Sequence, residues 1–176
     1  MRLFRAINDA VNMGFSLNQK SSVIMEIQSK LLGNLYVNPD TIITFPRGLP
    51  GFEDQTRFNL FHQEGSEIVF WLQAVDNEDL TFSVAHPAHF NINYNFVLTD
   101  EEEQLLQIEN AEDLLILILL HKDEQEDSAK PTIKGSIKSP LVINTVKRIG
   151  FQKVLVTIEQ SITLTEKNSQ IDVSET

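Results

Sequence analysis

No apolar run in this chain of 176 residues is longer than seven, Leu114 to Leu120. A membrane-crossing helix needs about 20 apolar residues, so the run is no span. As a helix it would be unusually short, and we read it as a fully buried β-strand. The other apolar runs are shorter still. Val23–Gln28 and Leu31–Val37 flank a turn at Ser29-Lys30, with a second turn or bulge available at Gly33-Asn34. Ile42–Phe45, Arg57–His62, Ile68–Gln73, Leu80–Ala85, Leu141–Asn144 and Gln152–Ile158 are further strand candidates. Ile68–Gln73 is apolar on both faces, the mark of a strand covered on two sides. Thr132 to Lys138 alternates Lys, Ser and Thr with Ile and Gly, as a half-buried strand does. Many short strands with little helix predict an α+β, mostly β domain, either an antiparallel barrel or a sandwich.

Two helical signals interrupt the strands. Thr99 followed three residues later by Glu102 is a capping box, and the acids Asp100 to Glu103 suit the positive end of a helix dipole. A short helical turn is expected at Ala111–Asp113. Residues 1–20 differ from the rest. Leu3, Phe4, Ile7, Ala10 and Val11 recur at helical spacing with Arg2, Arg5, Asn8, Asp9 and Asn12 opposite, which predicts an amphipathic helix. We divide the chain into an N-terminal extension (1–22), one β domain (23–162) and a polar tail (163–176) expected to be disordered. Arg2 and Arg5 precede no continuous apolar stretch, so no cleaved secretory signal is expected.

Charge and cysteine usage narrow the function. The net charge is −11, which disfavours a whole-chain grip on nucleic acid and favours a basic protein partner. With no cysteine there is no disulfide framework, no thiolate nucleophile and no Cys-based zinc site. The glycines form neither a dinucleotide fingerprint nor a phosphate loop. His86 and His89 stand three apart, but Pro87 lies between them and zinc takes three or four protein ligands. They are expected to be loop or capping histidines. A ligand-binding or metal-assisted hydrolytic barrel with a cleft near them is the alternative reading. Acids dominate residues 100–127, including Asp123, Glu124, Glu126 and Asp127, and form a candidate docking face. The bases from Lys130 to Lys153 lack interleaved aromatics, so an RNA-contacting edge there is disfavoured.

The densest local signal is Phe45-Pro46-Arg47-Gly48-Leu49-Pro50-Gly51-Phe52. Two prolines and two glycines in eight residues impose an unusual backbone path. Either a rigid connection or a preorganised recognition loop would use it. This stretch resembles the hallmark loop of the FliW family of bacterial flagellar assembly factors. The resemblance continues through Phe70-Trp71-Leu72-Gln73-Ala74-Val75 and Phe82-Ser83-Val84. It ends with Ser139-Pro140-Leu141-Val142-Ile143-Asn144, Gly150 and Gln152-Lys153-Val154-Leu155. Family members typically begin near Met25, so the first 24 residues depart from the pattern.

The resemblance implies a small, partly closed β-barrel-like fold without catalysis or cofactor, cytoplasmic and monomeric when free. It implies two partners: flagellin, and the basic RNA-binding repressor CsrA, which is antagonised noncompetitively when flagellin is secreted. Arg47, Leu49, Phe52, Asp100 to Glu103 and the 123–127 acids are the expected partner contacts. Pro46, Gly48, Pro50, Gly51, Pro140 and Asn144 are expected to be structural. No metal, membrane or direct nucleic-acid partner is expected.

Overall fold

The computed structural model describes residues 4–6, 24–63, 68–122 and 133–155. Strands account for most of them: β1 (Phe4–Ala6), β2 (Met25–Ser29), β3 (Gly33–Val37), β4 (Ile43–Thr44), β5 (Arg57–Gln63), β6 (Val69–Ala74) and β7 (Thr81–Ala85). The helix α1 (Asp100–Leu106) follows, then β8 (Leu114–Lys122), β9 (Ile133–Gly135), β10 (Leu141–Asn144) and β11 (Ile149–Gln152). Seven strands form a ring in the order β4, β5, β6, β7, β8, β10, β11, and β11 returns to β4. The ring is therefore closed rather than partly closed. Its closing contact, Ile149 against Thr44, is parallel, while the other ring pairings are antiparallel. Closure removes the open edges that a sandwich of such short strands would expose.

The ring is filled from its own inward positions. Phe58 and Leu60 of β5, Leu72 and Ala74 of β6, Val84 of β7, Leu117 of β8, and Leu141 and Ile143 of β10 meet there with Ile43, Phe45 and Leu49. The outer face of β5 and β6 is covered too. The β2–β3 hairpin lies on it, with Ile27, Leu32, Leu35 and Val37 packed around Phe61 and against Trp71. This second layer is why Ile68–Gln73 reads as apolar on both faces. Asn59, on the covered side of β5, is only 1% exposed and accepts a hydrogen bond from Thr41 Oγ1 at 2.8 Å.

Three expectations need correction. Phe4–Ala6 forms a strand, not a helix: it pairs antiparallel with Phe61–Gln63, where β5 has already lost β4 as a neighbour. The unpaired backbone of that edge overrides the local helical period. The rest of the 1–22 segment lies outside the described residues. The alternating stretch from Thr132 contributes a strand only at Ile133–Gly135, because Ile137 N–H donates back to Gly135 and Ser139 N–H to Ser136, turning the chain. The expected strand at Gln152–Ile158 is instead Ile149–Gln152. Arg148 at φ 57° ends a tight turn right after β10, so the return strand starts earlier. Residues from 156 onward, the predicted tail at 163–176 among them, fall outside the description.

The helical signals hold. Thr99 Oγ1 accepts from Glu102 N–H, and the Glu102 carboxylate accepts from Thr99 N–H at 2.8 Å. The short turn at Ala111–Asp113 is a 3₁₀ turn.

A cleft between the Pro/Gly loop and the acidic helix

The loop from Phe45 to Phe52 is two successive β-turns. Gly48 N–H donates to Phe45 C=O at 2.8 Å, and Phe52 N–H to Leu49 C=O at 2.7 Å. In the first, Pro46 and Gly48 occupy the second and fourth places that a type I turn favours. In the second, Pro50 precedes Gly51 at φ 85°, as a type II turn requires. Gly48 is held at φ 64° with its Cα close to the backbone of the second turn. Any Cβ there would lie 2.5 Å from Glu53 Cα and 2.6 Å from Phe52 O.

Four phenylalanines tie this loop to the barrel. Phe45, fully buried, meets Phe58 edge-on at 5.4 Å. Phe58 leans on Phe82 at 6.1 Å, and Phe82 meets Phe52 edge-on at 5.3 Å. The series runs from the core to the surface, where Phe52 is 38% exposed. Phe45 also explains Gly150: a Cβ there would lie 2.9 Å from the Phe45 ring.

α1 faces the loop across β11. A cleft of about 280 Å³ separates them, lined by Arg47, Gly48, Pro50 and Glu53 on one side and Glu101, Glu102 and Leu105 on the other, with Phe151 and Gln152 as its floor. Two segments some fifty residues apart in sequence, both candidate sites, thus share one surface. Arg47 and Glu101 are exposed in its walls, while Asp100 and Glu103 are exposed on α1 outside its lining. Glu53 is exposed as well, and the Gly51 N–H donated to its carboxylate holds its pKa below the usual carboxylate range.

Two expected contacts change role. Leu49 is 2% exposed and belongs to the barrel core, so no partner can touch it; it shapes the loop from beneath. Glu102 is committed internally. Its two oxygens receive Lys153 Nζ at 2.8 and 2.6 Å while one of them also caps Thr99. Burial pushes the Glu102 pKa up, but the hydrogen bonds from Lys153 and Thr99 outweigh it and hold the pKa below the usual value. Lys153 in turn lies 5.6 Å over the Phe96 ring. Asp123, Glu124, Glu126 and Asp127 fall outside the described residues.

The position of α1 is set by Asn144, a residue the sequence places at the end of a strand. Buried at 1% exposure, it donates from Nδ2 to Leu106 C=O at 2.9 Å and Gln107 C=O at 3.3 Å. Its Oδ1 accepts from Val146 and Lys147 N–H, both at 3.0 Å. One side chain thus caps the helix C-terminus and closes the β10–β11 turn. Pro140 is buried at the start of β10, and its carbonyl receives Lys153 N–H at 2.9 Å. Pro46, Pro50 and Gly51 are exposed turn positions.

Of the two histidines, His86 is a cap, as expected. His86 Nδ1 accepts from Ala88 N–H at 3.2 Å as the N-cap of the 3₁₀ turn Pro87–Phe90. Burial, then the neighbouring His89, lowers its pKa. No group of three metal-ligating side chains occurs among the described residues. Two of the bases between Lys134 and Lys153 are paired with acids: Lys153 with Glu102, and Lys147 with Glu109 at 2.7 Å. Among the described residues, no helix is long and apolar enough to cross a membrane.

Comparison with known proteins decides the family. The sequence model of the FliW protein family matches residues 26–166. The chain belongs to the FliW family. A flagellar assembly factor FliW from Azoarcus sp. (strain BH72) is 41% identical over 145 residues, covering 81% of this chain and 99% of that one. The Chromobacterium violaceum flagellar assembly factor FliW is 36% identical, covering 77% of this chain and 96% of its own length. A crystal structure of a flagellar assembly factor FliW superposes with a TM-score of 0.66 at 27% identity, covering 77% of this chain and 92% of that one. The Pro/Gly loop, which lies within the matched residues, is one wall of the cleft.

Proposed function

We propose that this chain is a non-enzymatic, cytoplasmic protein-binding regulator of flagellar assembly. It holds flagellin before export. Once flagellin leaves, it binds CsrA away from the RNA groove and relieves repression of flagellin translation. The observation that carries this reading is the shared cleft: the FliW hallmark loop and the acid-rich helix form one exposed surface on a chain of net charge −11. Such a field attracts a basic RNA-binding protein and repels the phosphates that protein would otherwise hold. Arg47 and Glu101 in the cleft, with Phe52, Asp100 and Glu103 on the same loop and helix, are the contacts we assign. Arg47, Asp100, Glu101 and Glu103 are exposed, and Phe52 is 38% exposed while its ring packs on Phe82.

Calorimetry against flagellin and CsrA from the same source tests the proposal, with CsrA also titrated into the preformed flagellin complex. Binding to both, with flagellin blocking CsrA, is the expected result. The double variant Arg47→Ala/Glu101→Lys is expected to lose about tenfold or more in affinity for at least one partner with its melting temperature unchanged. Binding to neither partner would overturn the function. Full affinity in the variant would overturn the site.

A further inference from the structure

One edge of β5 is covered in two separate places. Arg57 and Phe58 pair with β4, and Phe61 to Gln63 pair with β1. The first covering comes from adjacent chain. The second comes from the far N-terminus: Phe4 opposite Gln63, Arg5 opposite His62, Ala6 opposite Phe61.

The strand is added to a ring that closes without it. The family match begins at residue 26, and the Azoarcus relative is covered over 99% of its length by an alignment spanning 81% of this chain. The seven-strand ring closes through β4 and β11 and does not use β1. Charge favours the attachment, since residues 1–20 sum to +2 in a chain whose total is −11.

We propose that the β5 edge at Phe61–Gln63 is a strand-addition site, and that the N-terminal segment of this same chain is its resident, exchangeable occupant. A three-residue ladder lies at the low-stability end of local opening, well below the ring strands. Opening it exposes a row of unpaired backbone N–H and C=O groups, the chemistry that an extended peptide recognises by adding a strand. The inference stands apart from the partners proposed above, because it concerns another edge of the barrel and an occupant within the chain.

Amide hydrogen exchange of Phe61, His62 and Gln63, read by NMR on the full chain, tests it. Successive residues of a strand point their N–H groups to opposite sides, so Arg5→Pro/Ala6→Pro removes whichever donor faces β5. The amides of this trio that face β1 are expected to exchange at least about tenfold faster in the double variant, with Leu72 and Val142 unchanged. A chain starting at residue 23 is expected to behave as the variant does. A synthetic peptide of residues 1–22 is expected to restore its protection. Equal exchange in the full chain and the double variant would overturn the proposal. So would a full-chain dimer that the double variant abolishes, because the occupant would then be the segment of a second copy.

Discussion

Replacing Gly48 with alanine is the sharpest test of how the Pro/Gly loop is built. The residue sits at φ 64°, where a side chain costs about 1–2 kcal/mol. Its new Cβ would also lie 2.5 to 2.7 Å from Glu53 Cα, Phe52 O and Glu53 O. These are backbone atoms, so no rotamer change relieves the contact and the second turn must move. Overpacking of that kind adds about 1–3 kcal/mol. We expect Gly48→Ala to lower stability by about 3 kcal/mol, which for a domain of this size lowers Tm by roughly 10 °C. Gly51→Ala is the control. Its φ of 85° carries the same left-handed cost, but its Cβ would meet nothing within 4 Å. Urea unfolding followed through the single tryptophan, Trp71, measures both. If Gly48→Ala proves no worse than Gly51→Ala, the close approach of the two turns is not what requires glycine, and the reasoning fails.

Asn144→Ala is expected to cost roughly 3 kcal/mol by leaving helix carbonyls and turn N–H groups without their partner; thermal melts check it, and retained stability would separate α1 from the turn. Glu102→Gln should destabilise the protein at pH 7 by about 1–3 kcal/mol, because Lys153, whose side chain is 10% exposed, loses its counter-charge. The Glu102 pKa is lowered on folding, so its contribution is present above the unfolded value of about 4.3 and is lost as pH falls through the folded value. The pH-dependence of unfolding below that point should therefore be shallower in Glu102→Gln. His86, whose pKa is also lowered, makes the fold lose stability as pH falls below about 6.5. His86→Asn keeps an N-cap acceptor and is expected to flatten that slope in denaturation curves between pH 7 and 5.

Much of the fold was legible because the signals are local. A seven-residue apolar run is too short to span a membrane and became β8; the capping box at Thr99 and Glu102 names its helix from four residues. Pro50-Gly51 specifies a turn because only a few residue types accept the backbone it needs. The same locality misled at the N-terminus, where a helical period in residues 3–11 was outweighed at Phe4–Ala6 by an unpaired strand edge sixty residues away.

The candidate site was legible only in pieces. Sequence alone marked the hallmark loop and the acidic helix, since proline, glycine and clustered charge act through neighbouring residues. It could not tell that they face each other, or that Glu102 is bound to Lys153 fifty-one residues away. Those facts depend on how the ring closes and on where Asn144 pins α1. Both are contacts between distant segments, whose geometry is set by packing the whole barrel and by satisfying buried polar groups. Strand identity is a property of a few consecutive residues; the cleft exists only once the seven strands have found one another.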